Sequence, residues 1–322
     1  MKFAQRKIDL VDARALLQHT LQANRAHLAT HPERVLTDAE KNQFSDYVER
    51  RKNGEPVAYI VGEREFFGLT FKVTPAVLIP RPETELLVEQ ALARIQEHRP
   101  ARILDLGTGS GAIAIAIAKH RPLAHVTAVD ASQAALKIAS ENAQRLLGER
   151  TSCMEFLHCD WFSAVSNEPF DLIVSNPPYV AEGDPHLAQG DLRFEPQKAL
   201  AAGPRGLSAL AHIARNAAPR LVPGGWLLLE HGYDQGSACN ELMAVAGFAH
   251  VATHQDLAGI DRVTLGQYPN IPFHRATPAG QPRLRTRRER LPGRPGKRHQ
   301  SGEPGNSGAG IEAMRIPVQR RS

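Results

Sequence analysis

Asn176, Pro177, Pro178 and Tyr179 stand together after an apolar run, Leu172-Ile173-Val174, that stops at Ser175. A run of β-formers cut off by two prolines reads as a buried strand ending in a constrained loop. Neither proline carries an N–H, so a strand ladder cannot continue through them. The Asn176 side chain and the nearby carbonyls therefore face whatever lies beyond the strand's carboxyl end, where open α/β sheets bind ligands. Two acceptors are on offer, the side-chain oxygen of Asn176 and the carbonyl of Pro177, with Tyr179 to pack over a planar group. Such a pair can grip the N–H groups of an amine or amide, orient its nitrogen and stabilise positive charge developing there. An amide nitrogen is a poor nucleophile because its lone pair is delocalised into the carbonyl, so its alkylation needs orientation of this kind. No strong general base is required, since the alkylated nitrogen turns acidic and loses its proton late. The bland alternative is a rigid turn after a strand, which four specified residues downstream of a cofactor-type loop argue against.

That loop is Asp105-Leu106-Gly107-Thr108-Gly109-Ser110-Gly111, after one apolar stretch and before the Ala112–Lys119 helical segment. Glycines at alternate positions let a backbone turn tightly and approach a ligand without a Cβ clash. Asp130, ending the next strand, is placed to accept hydrogen bonds from ribose hydroxyls. Taken alone, the turn fits NAD, FAD or S-adenosylmethionine, or simply tight strand–helix packing. Two features favour S-adenosylmethionine. The spacing is G-x-G-x-G rather than G-x-G-x-x-G, and Asp105 lies two residues before the first glycine. An acidic group there can meet a cationic amino-acid end, whereas a pyrophosphate would be repelled. Asp160-Trp161, ending a third strand, can supply an acceptor and an aromatic face for adenine. A core or rim aromatic is an equally good account of Trp161.

These residues require a sheet to hold them. Candidate strands are Arg102–Leu106, His125–Asp130, Met154–His158, Asp171–Ser175, Trp226–Glu230 and Arg262–Gln267, separated for the most part by helical segments near 112–119, 132–147, 206–218 and 236–246. Strand–helix alternation implies an α/β fold with a mostly parallel, doubly wound, Rossmann-like sheet. Ahead of it, Leu10, Ala13, Leu16, Leu17 and Leu21 fall near a 3.6 period, and Thr37 with Glu40 forms a capping box before a second helix. This predicts a small N-terminal helical domain over 1–60, on its own a bundle without chemistry. Phe66, Phe67, Phe71, Val73, Val77 and Ile79, broken by Gly68, Pro75 and Pro80, predict a β-hairpin linker over 61–82. Arg81-Pro82-Glu83-Thr84-Glu85 then reads as an acidic helix start beside a proline. The catalytic domain is expected over 83–268.

Hydrophobic and charged residues, 42% and 23%, are those of an ordinary globular protein. No apolar run reaches membrane-spanning length and no signal-peptide pattern opens the chain, so a cytoplasmic location is expected. Cys153, Cys159 and Cys239 lack zinc or disulfide spacing, which suits a reducing compartment, and no metal is expected. The net charge of +5 conceals a division. Residues 269–322 hold twelve Lys and Arg against three Glu, a local +9, so residues 1–268 carry 5 − 9 = −4. An acidic-leaning body argues against a duplex-DNA footprint on the folded part. The Arg-, Pro-, Gly- and Ser-rich tail is expected to be disordered, and an incidental extension is preferred over an RNA-binding arm.

With these residues in view, the chain resembles the HemK/PrmC family, the peptide chain release factor N5-glutamine methyltransferases. The similarity runs from about Ile8 to Tyr268. It takes in GEPVAYIVGEREFFGLTFKV (54–73), LIPRPETE (78–85), ILDLGTGSGAIAIAIA (103–118), SNPPY (175–179) and DLRFEPQKAL (191–200). NPPY is shared with adenine-N6 methyltransferases of DNA and RNA, so RPETE and RFEP carry the specificity. A sister family acting on a glutamine of a large-subunit ribosomal protein differs where this chain has RPETE. The resemblance implies methyl transfer from S-adenosyl-L-methionine to the glutamine of the Gly-Gly-Gln motif in class I release factors; separately, a monomer is expected. It places the cofactor at Gly107, Thr108, Gly109, Ser110, Gly111, Asp130, Trp161 and Asn176. It places the substrate glutamine at Asn176, Pro177, Pro178 and Tyr179, with Asn176, Pro177 and Tyr179 catalytic, and gives the N-terminal bundle a release-factor docking role. Two departures stand out. The family's first short segment has no counterpart at the N-terminus, and the tail from Pro269 has none in the family.

Overall fold

The computed structural model describes residues 7–270. The basic segment expected to be disordered lies, but for its first two residues, outside the described residues. Asp9, Asn24 and Thr37 each accept a backbone N–H from the turn that follows, and so start helices α1 (Leu10–Thr20), α2 (Arg25–Thr30) and α3 (Asp38–Lys52). At α3 the capping box closes both ways. Glu40 N–H donates to Thr37 Oγ1 at 3.2 Å, and Thr37 N–H donates to Glu40 Oε2 at 2.9 Å. Ala13, Leu16, Phe44 and Val48 bury together with Ile60 of the short helix α4 (Val57–Val61). The hairpin follows as β1 (Glu63–Phe66) and β2 (Leu69–Lys72), joined through Phe67 and Gly68, both at positive φ (51° and 72°) as a tight two-residue turn demands.

Arg81 does not open a helix directly. Pro82–Thr84 forms one 3-10 turn, and α5 (Glu85–Leu92) continues from it. The alternation then proceeds through β3 (Ala101–Leu106), α6 (Ala112–His120), β4 (Ala124–Asp130), α7 (Gln133–Leu147), β5 (Met154–His158) and β6 (Phe170–Ser175). It ends with α8 (Ser208–Ala217), β7 (Leu221–Glu230), α9 (Gly236–Val245), β8 (Ala249–Gln255) and β9 (Asp261–Gln267). All six expected strands form. The fifth starts at Leu221 rather than Trp226, running through Pro223-Gly224-Gly225. β8 was not expected, because it lies at the sheet edge and none of its side chains is fully buried, so it carries no apolar run.

The seven strands are ordered β5-β4-β3-β6-β7-β9-β8, parallel except that β9 runs antiparallel to both its neighbours. The chain steps outward from β3 to β5, then crosses to the other side of β3 for β6. That reversal opens a crevice beyond the carboxyl ends of β3 and β6, where ligands bind in sheets of this kind. The period-two alternation covers both faces. Ile103, Leu172, Val174 and Leu228 meet α6 (Ile113, Ile115, Ile117) on one side, and Leu104, Leu106, Ile173 and Leu229 meet α8 (Leu210, Ile213) on the other. Each such side chain, fully buried, contributes about 1.5–3 kcal/mol, so strand ends anchored this way are rigid platforms. Among the described residues, no helix is long and apolar enough to cross a membrane.

Candidate active site

Leu106 pairs with Ser175, and Ser175 with Leu229. The three central strands therefore end level, with Gly107, Asn176 and Glu230 as the next residue of each. Ser175 Oγ fastens the first two ends by donating to the Leu106 carbonyl at 2.7 Å.

The glycine turn is held by its own neighbourhood. Gly107 and Thr108 N–H both donate to the Val129 carbonyl, at 2.8 and 2.9 Å. Gly109 N–H donates to Asp130 Oδ2 at 2.9 Å, and Ser132 N–H to Asp130 Oδ1 at 2.8 Å. Gly109 sits at φ +56°, and a Cβ built there would meet nothing within 4 Å, so the turn faces open space. Gly111 differs. A Cβ there would come within 2.8 Å of Ile115 Cδ1 and 3.3 Å of the Ala139 backbone, so this glycine lets α6 and α7 approach. Thr108 is turned inward and donates to Asp105 Oδ2 at 2.7 Å, while buried Ser110 gives its carbonyl to Asn142 Nδ2. Asp105 Oδ1 is buried with no partner. Burial dominates and, with a smaller push from the Asp130 charge, raises the Asp105 carboxyl to about 7 against the pull of the Thr108 hydroxyl and the Ala114 backbone. A buried acceptor in that condition is chemically matched to an ammonium group, which would restore both its charge and its missing bond.

A cavity of about 480 Å³ opens over this turn, lined by Gly107, Gly109, Asp130, Asp160, Trp161, Asn176 and Pro178, and roofed by Val77, Leu78 and the 196–199 segment. Trp161 holds a left-handed backbone (φ 46°) while its ring reaches Gly107, a conformation that costs about 1 kcal/mol or more for a large residue. The space suits a nucleoside joined to an amino acid. Asp130 and Asp160 line it beside the Trp161 ring, and fully buried Asp105 stands behind the glycine turn, outside the lining. The structure thus brings six of the anticipated residues around one cavity: Gly107, Gly109, Asp130, Trp161, Asn176 and Pro178. It places Thr108, Ser110 and Gly111 behind the wall, and Pro177 and Tyr179 beside it.

The corner after β6 is held by residues from far along the chain. Asn176 Nδ2 donates to Thr84 Oγ1 at 3.1 Å, which turns the amide so that its other end, Oδ1, is left as an acceptor. Tyr179 is half-buried beside Glu230, its hydroxyl 3.5 Å from Oε1, and its carbonyl accepts from Gln235 Nε2 at 3.0 Å. Arg81 Nη2 donates to Glu195 Oε1 at 2.5 Å, and Ile79 N–H donates to Glu195 Oε2 at 3.3 Å. RPETE and RFEP are thus two halves of one clip. Burial pushes the Glu195 carboxyl up and Arg81 draws it down. Thr84 and Glu230 had no assigned role in the sequence. Thr84 sat within RPETE without a partner to explain it, and Glu230 ended a strand with no sign that it would meet Tyr179.

Residues 2–62 match the family model described as the PrmC N-terminal domain, and residues 82–194 match the Methyltransferase small domain. The chain is 52% identical over 268 residues to the release factor glutamine methyltransferase of Xylella fastidiosa (strain Temecula1), covering 83% of this chain and 96% of that protein. It is 48% identical over 257 residues to the protein of the same name from Escherichia coli (strain K12), covering 80% of this chain and 91% of that one. Among solved structures, it is similar to the hMettl16 catalytic domain in complex with MAT2A 3′UTR hairpin 6. That match has a TM-score of 0.50 and 15% identity over 73% of this chain and 83% of the other, a likeness of fold alone.

Proposed function

The chain belongs to the release factor glutamine methyltransferase family, and on that premise we propose that it methylates the N5 side-chain amide of the Gly-Gly-Gln glutamine in class I peptide chain release factors. The observation that carries this is the level ending of β3 and β6, which sets Asn176 against the glycine turn on one cavity wall. When bound, S-adenosyl-L-methionine would supply a methyl group on a sulfonium centre, with the neutral thioether as leaving group. Asp105, Gly107, Gly109, Asp130 and Trp161 hold it, with Thr108, Ser110 and Gly111 shaping the turn from behind.

Asn176 Oδ1 and the Pro177 carbonyl accept the two N–H bonds of the substrate amide, and Pro178 and Tyr179 confine its plane. Gripped in this way, the nitrogen presents its lone pair in line with the methyl group. Positive charge arising on nitrogen is met by two acceptor dipoles, a contribution of about 2.7–4 kcal/mol for one such group. The new N–C bond forms as the C–S bond breaks, and one amide proton then leaves to solvent.

Residues 1–60 dock the release factor, 61–82 link, and 83–268 carry the chemistry; the protein acts as a cytoplasmic monomer. Incubation with labelled S-adenosyl-L-methionine and three substrates (a class I release factor, a large-subunit ribosomal protein and duplex DNA) tests the reading. Label should enter the release factor at its Gly-Gly-Gln glutamine. Label on DNA or the ribosomal protein alone would overturn it.

A further inference from the structure

Glu230 is an almost wholly buried carboxylate that the methyl transfer described above does not use. It ends β7 level with Asn176, as the pairing of Leu229 with Ser175 requires. Its Oε1 is 3.5 Å from the Tyr179 hydroxyl and its Oε2 has no hydrogen-bond partner, while the Thr84 hydroxyl draws its pKa down against burial. Thr84 is itself buried and accepts from Asn176 Nδ2. Distances of this kind at a reacting site are commonly long before the substrate is seated.

A hydroxyl has one proton to donate. If Thr84 gives it to a carboxylate, its oxygen is free to accept only, and the Asn176 NH2 group must turn toward it. A protonated Glu230, or an amide in its place, offers a donor beside its acceptor, so Thr84 is no longer fixed and can receive from that side and send its proton toward Asn176. The amide then flips, and its NH2 group faces the substrate, where it repels the N–H it should hold. We propose that ionised Glu230, acting through Thr84, is a positioning residue that fixes the orientation of the Asn176 amide and so keeps Oδ1 turned to the substrate glutamine. The inference rests on the methyltransferase reading above and names what holds its acceptor in place.

Besides Thr84 and Tyr179, the charged groups facing Glu230 are Arg262 on β9 and Glu83 on the 3-10 turn, of opposite effect. Neighbouring His231 is engaged with Gly232 and Thr264. Burial dominates and pushes the Glu230 carboxyl up to about 7. The orienting charge is therefore complete above that pH and is lost as pH falls through it.

The test uses the full chain with release factor as substrate, comparing Glu230→Gln, Thr84→Val and Thr84→Ser with the wild type. Glu230→Gln keeps the shape but replaces an acceptor-only carboxylate by a group that can also donate, so its kcat should fall at least about 30-fold and lose the rise of kcat between pH 6 and 8. Thr84→Val should fall similarly, and Thr84→Ser, which retains the hydroxyl, should stay within about 3-fold of wild type. Affinity for S-adenosyl-L-methionine should move less than about 3-fold in all three. A Glu230→Gln variant that keeps its kcat, or loses it with the pH rise unchanged, overturns the proposal. So does a Thr84→Val variant as active as Thr84→Ser. A wild type that does not label release factor would instead sink the functional reading itself.

Discussion

On the glycine-turn side of the cavity, the polar contacts that shape the wall come almost entirely from one stretch of chain. Thr108 reaches Asp105 across three residues, and Gly109 reaches Asp130 across twenty-one. On the Asn176 side, the contacts span most of the described chain. Asn176 is held by Thr84 at a separation of ninety-two residues, Glu195 by Arg81 at 114, and Asp191 by Arg51 at 140. The first side is backbone geometry set by two adjacent βα units. The second is a mesh of side chains that exists only when four remote segments are folded together. A binding site for one invariant small molecule can afford to be local. A site that must present an unreactive amide in one orientation needs restraints from several directions, and each of them can be cut separately.

Asn176→Ala should give the largest effect and the sharpest separation of the two sides. Removing one transition-state acceptor is expected to lower kcat by about 10²–10³-fold. Affinity for S-adenosyl-L-methionine, read by calorimetry, should change little, since the glycine turn and Asp105 are untouched. Turnover like that of the wild type would refute the two-acceptor grip, and an equal loss of cofactor affinity would mean that the sides are not separate.

Asp105→Asn probes the opposite side. Its folded pKa is raised, so the native state holds a proton that the unfolded chain releases between the ordinary carboxylate range and about 7. The carboxyl thus costs stability as pH rises through that window, and a bound cation recovers it. At pH 8 the variant should bind S-adenosyl-L-methionine about 10–100-fold more weakly, the range expected for one charge-assisted hydrogen bond. Near pH 5.5, where Asp105 is itself protonated, the two proteins should bind alike. The variant should also melt higher than wild type at pH 8 and about equally at pH 5.5. Equal cofactor affinity at pH 8 would remove Asp105 from the site.

The same contrast explains what could be read before the fold was known. DLGTGSG lies next to the strand and helix it joins, so its turn, its glycines and Asp130 were legible from spacing alone. NPPY was legible as an acceptor-lined corner because two prolines announce the end of a ladder. Thr84 and Glu230 were not, since nothing local tells a threonine in a 3-10 turn that its partner is Asn176. RPETE and RFEP stood out only through the family resemblance, and the Arg81–Glu195 clip is their physical content. β8 escaped for a different reason. An edge strand with half-covered faces carries neither an apolar run nor a clean alternation.

Cutting that clip should act on the protein substrate more than on the cofactor. Arg81→Ala leaves Glu195 buried without its counter-charge, and the carboxyl, already pushed up by burial, responds by taking a proton. The loss is then that of one charged hydrogen bond, about 1.5–3 kcal/mol, felt in the 185–200 segment that carries RFEP. KM for the release factor should rise about 5–30-fold in steady-state assays. Because Pro196–Ala199 also roof the cavity, the cofactor Kd should rise as well, by less than about 3-fold. Equal losses on both sides would make the roof a shared element and blur the division drawn above.

The smallest effect is expected at Arg51, which joins the N-terminal helices to the same segment. Its guanidinium donates to Asp12 Oδ2 at 2.6 Å and to Asp191 Oδ1 at 2.8 Å, while Arg193 reaches the Asn53 carbonyl at 2.8 Å nearby. The side chains of Arg51 and Asp191 remain 23% and 43% exposed, so water screens the pair and its worth is about 0.2–1 kcal/mol. Arg51→Ala should therefore lower the melting temperature by no more than about 2–4 °C. It should leave cofactor affinity untouched and raise KM for the release factor about 2–3-fold. If the helices only cap the sheet, KM will not move. If they help to seat the release factor against the RFEP segment, KM will rise while kcat at saturating substrate stays level, because the Asn176 amide is oriented by Thr84 and not by the helices.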